Sequence, residues 1–137
     1  MANYSISMKD LLVTAGVGVF AIDLFVGKMP ATPSAVVTVI GSGGITPNPK
    51  FLLDRPSIQV MVRGDVNGYS AAYDKAVEVK NALLGLPSQD VNGDRWVQVN
   101  MIGDIVPLGF DSKNRAKFSL NFGLIIEPAT GTNRIAL

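Results

Sequence analysis

The chain has 137 residues, 47% of them hydrophobic and only 17% charged against a usual charged share of about 25%, which gives one domain with a substantial core and no room for a modular enzyme. Twelve basic and eleven acidic residues leave a formal charge of +1, too little to gather nucleic acid or an anionic membrane at long range. His and Cys are both absent, which removes the commonest general base, thiolate chemistry, disulfides and the usual soft or imidazole metal ligands.

A mean hydropathy of +0.30 is high for so small a domain, and the surplus suits apolar surface that faces other subunits. The one membrane-like stretch, Leu11 to Val26, falls short of the roughly 20 residues of a span and holds Gly16, Gly18 and Asp23, so no transmembrane helix is expected. No signal peptide is expected either, because Lys9 and Asp10 nearly cancel and no small-residue cleavage pattern follows a clean apolar run.

Ser7 as a cap, with Asp10 in the first turn, predicts a helix from about Ser7 to Ala15 with Met8, Leu11, Leu12 and Ala15 on its apolar side. Beyond Gly16 and Gly18, the alternation of Phe20, Ile22, Leu24 and Val26 against Ala21, Asp23 and Phe25 reads as a strand. Gly27, Pro30 and Pro33 form a connection, and Ala35 to Ile40 is a β-branched run typical of a buried strand. Glycines and prolines recur from Gly41 to Pro56, so residues 41–56 read as a long loop. Its apolar residues Ile45, Phe51, Leu52 and Leu53 point to contact with a partner, and Ser at 51 and 52 is expected to weaken that contact without unfolding the chain.

Ser57 to Arg63 alternates, with Ile58, Val60 and Val62 inward and Ser57, Gln59, Met61 and Arg63 outward. Asn67 or Ser70 opens a helix whose three-four spacing includes Tyr69, Ala72, Tyr73, Ala76, Val77, Lys80, Leu83 and Leu84, closed by Gly85 and Pro87. Both tyrosines fit its buried face. Asn92 and Gly93 turn into a strand over Trp96 to Ile102, and Lys113 to Ile126 is a long strand with Phe118, Leu120, Phe122, Leu124 and Ile126 on one side. Its other side carries Lys113, Arg115, Lys117, Ser119 and Asn121, and residues 128–137 read as a flexible tail. The order implies an α+β single domain over 1–137, with a mixed or antiparallel sheet of about four to five strands and two helices packed on one face.

Catalytic and cofactor patterns are weak. Gly41-Ser42-Gly43-Gly44 follows a strand as a phosphate loop would, yet no Lys-Ser or Lys-Thr closes it, and Pro47 and Pro49 prevent the helix that would hold the phosphate. Asp90, Asn92 and Asp94 alternate like the start of a calcium loop, but Arg95 stands where Gly is required. Asp-Val-Asn-Gly occurs at 65–68 and again at 90–93, as ordinary turn chemistry rather than a repeat. An enzyme would have to work with Asp65, Asp74 and Tyr73, and it would need a pocket that brings them together. No catalytic, cofactor or metal residue is nominated. The basic stripe Lys113, Arg115, Lys117 reads as a subunit contact, a DNA-facing strip or a solvated strand face, and Arg55 with Arg63 allows the subunit or solvated readings.

The run Asp54-Arg55-Pro56-Ser57-Ile58-Gln59-Val60-Met61-Val62-Arg63-Gly64, followed by Tyr69, Ala72, Tyr73 and Ala76, resembles the phage minor capsid or tail terminator (tail completion) family. Leu24-Phe25-Val26-Gly27-Lys28-Met29-Pro30 upstream agrees with it, as do Pro107-Leu108-Gly109, Asp111, Arg115, Ser119, Asn121 and Phe122 downstream. Phe110 to Asn114 departs from the pattern, where a shorter acidic turn is expected.

The resemblance implies a noncatalytic virion protein without cofactors, located in the tail or neck and made in the host bacterial cytoplasm. It implies a homo-oligomeric ring, usually a hexamer, that caps the tail tube, stops its growth and meets the head connector. DNA then passes through the lumen without specific binding. The implied neighbours are further copies of the chain, the tube protein and a connector or neck protein, with no membrane. Another neck ring protein is the alternative. The residues expected at subunit interfaces are Phe51, Leu52, Leu53, Arg55, Arg63, Lys113, Arg115 and Lys117.

Overall fold

The computed structural model describes residues 3–129 and 133–137. In chain order the elements are α1 (Tyr4–Thr14), β1 (Leu24–Val26), β2 (Val36–Ile45), β3 (Arg55–Val66), α2 (Tyr69–Leu83), β4 (Gln89–Val91), β5 (Asp94–Met101), β6 (Val106–Phe110) and β7 (Arg115–Glu127). All seven strands form one sheet in the order β1-β2-β3-β7-β5-β4, with β6 also paired to β7. Only β1 and β2 run parallel, so the sheet is mixed.

The expected α+β domain is present, but with seven strands rather than four or five. Two were missed. β4 is three residues long and mostly polar, and β6 contains Pro107 and Gly109, which suit only an edge strand. The strand expected from Phe20 shrinks to Leu24–Val26, because Val19 to Asp23 form a turn with Ala21 at φ 66°. That turn closes through the Val19 N–H, which donates to Asp23 Oδ1 at 2.7 Å.

The loop expected at 41–56 is shorter. β2 continues through its glycines to Ile45 and pairs with the start of β3, Gly44 opposite Pro56 and Ile45 opposite Arg55, with a bulge between Gly41 and Gly44. At Gly44, φ is +120° and a Cβ would stand 2.5 Å from Arg55 O, so only glycine lets the strands meet there. The connection proper is 46–54. Of the residues 128–137 read as a flexible tail, 130–132 lie outside the described residues, and Ile135 pairs with the 46–54 connection: the Leu52 N–H donates to Ile135 O at 2.8 Å and the Ile135 N–H to Lys50 O at 2.8 Å.

Both helices cover one sheet face, as expected. α1 brings Met8 and Leu12, and α2 brings Ala72, Ala76, Val79 and Leu83, to a core shared with Val37 and Val39 of β2, Ile58, Val60 and Val62 of β3, and Phe118, Leu120, Phe122, Leu124 and Ile126 of β7. The first helix is capped by Asn3, whose side chain accepts from the Ser5 N–H, and not by Ser7, which is buried and takes a hydrogen bond from Asn92 Nδ2 at 3.0 Å. Tyr69 and Tyr73 are not on the buried face of α2; each leaves nearly half its surface exposed.

Gly64 explains the Arg-Gly end of the β3 motif. A Cβ there would lie 2.7 Å from Ala72 Cβ and 2.9 Å from Gly68 O, so the absent side chain lets the first turn of α2 close onto β3. Gly64→Ala is expected to destabilise the fold by about 1–3 kcal/mol through overpacking, read from urea unfolding midpoints. A control Ala at Ser70, on the exposed side of the same turn, should change them by less than about 0.5 kcal/mol.

Candidate functional site

Two of the basic residues expected on open strand faces lie inside the protein. Arg63 of β3 and Arg115 at the start of β7 are each 6% exposed. Arg63 Nε donates to Ser34 O at 2.9 Å, and its Nη2 donates to Pro30 O at 2.6 Å and Pro33 O at 2.9 Å. Arg115 Nη1 donates to Ala31 O at 2.9 Å, while its Nε meets Asp111 Oδ2 at 2.8 Å. Prolines at 30 and 33 leave this connection with more carbonyls than N–H groups, and two guanidinium forks supply the missing donors. The Thr32–Pro33 peptide within it is cis.

Asp111 completes the clamp. Its Oδ1 accepts the backbone N–H groups of Lys113 at 2.9 Å and Arg115 at 3.0 Å. The backbone bond from Arg115, then that residue's guanidinium, holds the Asp111 carboxyl below the usual carboxylate range. Burial, and after it the neighbouring Arg115 charge, lowers the Arg63 guanidinium, although such a group stays protonated. The stripe at 113, 115 and 117 is therefore not one outward face. Lys113 is exposed in the turn before β7, Arg115 is internal, and Lys117 is half-buried opposite Arg63. Arg55 and Arg63 are on one side of β3, but Arg55 is exposed at the strand's start whereas Arg63 is internal.

The three apolar candidates of the 46–54 connection also separate. Leu52 is 6% exposed, whereas Phe51 and Leu53 are half-buried. Asp54 ties the region together: its Oδ1 meets Arg134 Nη1 at 2.8 Å and its Oδ2 accepts from the Tyr4 hydroxyl at 2.8 Å. Burial, then the bond to Asp54, pushes the Tyr4 phenol upward. Ser at position 52 would thus open a hole in the protein's own packing. Phe51 is the connection's better test of a contact between molecules.

A groove of about 180 Å³ runs between α2 and the β2–β3 pair, lined among others by Val17, Val36, Arg63, Asp65, Ala72 and Lys75. Its cations are engaged: Arg63 serves the 30–34 carbonyls, and Lys75 Nζ donates to Val17 O at 3.0 Å and pairs with Glu78 at 2.9 Å. Asp65 lines this groove but Asp74 and Tyr73 do not, so the acid/base set an enzyme would need is not brought together. Among the described residues no three His, Cys, Asp or Glu side chains gather where a metal could bind.

What sequence reasoning missed is the apolar surface beside β1 and on β6. Beside β1, the turn 19–23 projects Val19, Phe20 and Ile22 into solvent. On the other edge of that part of the sheet, the outer strand β6 exposes Phe110 next to Tyr69 and Tyr73, with Leu108 also exposed and Val106 on the opposite face. The Tyr69 ring lies 6.2 Å from Phe110 and 5.2 Å from Phe118, and Tyr73 lies 5.7 Å from Phe118, so the aromatics form one shelf.

The sequence profile of a family described as bacteriophage tail terminator protein matches residues 11–128. No curated protein matches significantly. Among solved structures, a chain of the "Virion of native gene transfer agent (GTA) particle" superposes with a TM-score of 0.63 at 16% identity, covering 88% of this chain and 84% of that one. A second solved chain gives 0.61 at 14% identity over 96% of this chain and 99% of its own. At these identities the likeness is one of fold.

Arg63→Met leaves the Pro30, Pro33 and Ser34 carbonyls without their guanidinium donor and is expected to lower stability by about 3 kcal/mol, measured by urea unfolding. Asp111 gives a pH signature. A carboxyl depressed in the folded state stabilises it above its unfolded value, about 3.9, and that contribution is lost as pH falls through the lower folded value. Asp111→Asn should therefore be less stable than the parent at pH 7, with the gap closing as pH drops below about 4.

Proposed function

The chain belongs to the bacteriophage tail terminator family, and from that membership we propose that it assembles into a closed homo-oligomeric ring, a hexamer, that caps the tail tube, halts its polymerisation and offers the surface on which the head is joined. It is a structural virion protein, not an enzyme. Its partners in this reading are its own copies, the tube protein and a connector or neck protein, met in the host bacterial cytoplasm during assembly, with DNA later passing through the lumen.

The observation that supports the ring is the pair of apolar surfaces beside β1 and on β6, at opposite edges of one part of the sheet. A cyclic assembly repeats one head-to-tail contact, so every subunit must show two unlike patches that fit each other. A two-fold dimer would need only one self-complementary patch. Stopping a tube adds a second demand: one ring face matches the last tube ring and the other does not, which is selection by mismatch as much as by contact. The β2–β3 hairpin end and the 46–54 connection, with exposed Ile45 and half-buried Phe51, project from the sheet and suit an axial contact with a neighbouring ring.

The near-neutral charge supports passage of DNA, because many phosphate contacts would retain the duplex. Turning Arg63 and Arg115 inward strengthens this, since neither is then free to bind a phosphate.

Tails assembled in the absence of this chain, imaged by negative stain, are expected to be overlong. Adding purified protein to growing tubes should restore a fixed length. Tubes of normal length that merely lack heads would instead identify a neck connector ring. Replacing Phe51 with Ser should reduce capping of tubes several-fold at unchanged thermal stability; equal capping would remove the connection from the axial contact.

A further inference from the structure

We infer that the turn 19–23 of one subunit docks onto the aromatic shelf of Tyr69, Tyr73 and Phe110 of the next, as a rigid apolar knob on a preformed seat. This rests on the ring reading above and assigns its repeating contact to named residues. The occupant of each surface is a second copy of this chain.

The knob is built, not merely exposed. Asp23 Oδ1 accepts the Val19 N–H at 2.7 Å, and Val19 O accepts the N–H groups of Ile22 and Asp23, both at 3.1 Å. A Cβ on Gly18 would stand 2.9 Å from Asp23 Oδ1, so glycine is what lets that carboxylate reach back. Lys9 Nζ lies 4.4 Å from the centre of the Phe20 ring and holds it from behind. Phe20 is 50% exposed and Ile22 63%, in a turn that has already lost its conformational freedom and therefore has less to lose on binding.

The seat is equally fixed. Tyr69 and Tyr73 rest on buried Phe118, and Phe110 extends the surface along β6, at 52% exposure. In the register Phe110 stands opposite Ala116, which places its ring on the same sheet face as Phe118 and the helix.

The area of the seat can be set against what a contact needs. With about 200 Å² for an aromatic side chain, the three half-exposed rings offer roughly 300 Å². A standard interface buries about 800 Å² per partner, of which about 57% is apolar, or roughly 450 Å², so the rings supply about two thirds of the apolar share and their surroundings the rest.

Position supplies the remaining argument. Knob and seat flank β1 and β6, separated by four strand spacings through β2, β3 and β7, or about 19 Å. They therefore lie on opposite edges of that part of the sheet, with α2 between them.

The absence of Cys from the chain allows a direct test. Phe20→Cys and Phe110→Cys proteins, purified separately and mixed under mild oxidation with tail tubes present, are expected to form a disulfide-linked pair that neither gives alone. The double variant should give a ladder ending at the covalently closed ring. Ile22→Asp, at a fully surface position, should raise the concentration needed for assembly at least tenfold with an unchanged circular dichroism spectrum. Pairs formed by Phe20→Cys alone would overturn the inference in favour of a two-fold contact. Rings that assemble without the mixed cross-link would overturn it and leave the ring reading intact. Protein that forms no ring in solution or on tubes overturns both.

Discussion

β7 is the strand on which the other strands are registered. Its one long edge holds β3 from Ser57 to Val66, and its opposite edge is shared between β5 along the second half and β6 along the first. Every second side chain from Phe118 to Ile126 is buried, so a slip of one residue would place five large apolar groups in solvent. The register is thereby fixed, and with it the place of Arg115 at the strand's beginning, where it reaches Asp111 and Ala31. Gly64 and Arg63 sit on the neighbouring strand at the same end, so the helix packing, the proline turn and the sheet register constrain one another at a single corner.

That corner sets what the surfaces beside β1 and on β6 present. The 30–34 connection leads from β1 into β2, and pinning its carbonyls to Arg63 and Arg115 holds it against the sheet. Near β6, Tyr69 begins α2 a few residues after Gly64, and the close approach there brings both tyrosines over Phe118 and beside Phe110. Two distant surfaces are thus positioned by interactions inside the subunit. Such surfaces keep their shape before any partner arrives, which spares the contact much of its ordering cost.

The parts legible in the sequence were those carried by long, uninterrupted periodicity. β3 and β7 alternate cleanly over many residues, and α2 keeps its three-four spacing from Ala72 to Leu83, so both the elements and most of the core followed from pattern. The edges were not legible for the opposite reason. β6 carries Pro107 and Gly109, and β2 runs on through three glycines, residues that locally argue for loops and are tolerated only because pairing partners on β7 and β3 are available. The turn at 19–23 shows the same conflict: its alternation mimics a strand, while Asp23 and the positive φ at Ala21 fold it back. For the site, alternation correctly placed Arg63 and Arg115 on the face away from the helices, but the proline connection that covers that face lies over 25 residues earlier in the chain. The signal that could have found it was the donor deficit of a segment with Pro30 and Pro33, set against two arginines ending neighbouring strands.

The inward arginines bear on what kind of molecule this is. A basic stripe on an open strand would make a weak nucleic-acid surface, and the chain instead uses those charges to brace its own connection. The clamp satisfies its buried cations with carbonyls and a single carboxylate, so it does not depend on an outside anion. What remains exposed is a balanced mixture of charges interrupted by apolar groups, among them the surfaces beside β1 and on β6 and Ile45 at the hairpin end. Such a surface has little long-range reach and strong short-range preference, so recognition is settled by fit at contact. That is the property a protein needs when its neighbours are copies of itself and when DNA must pass close by without being held.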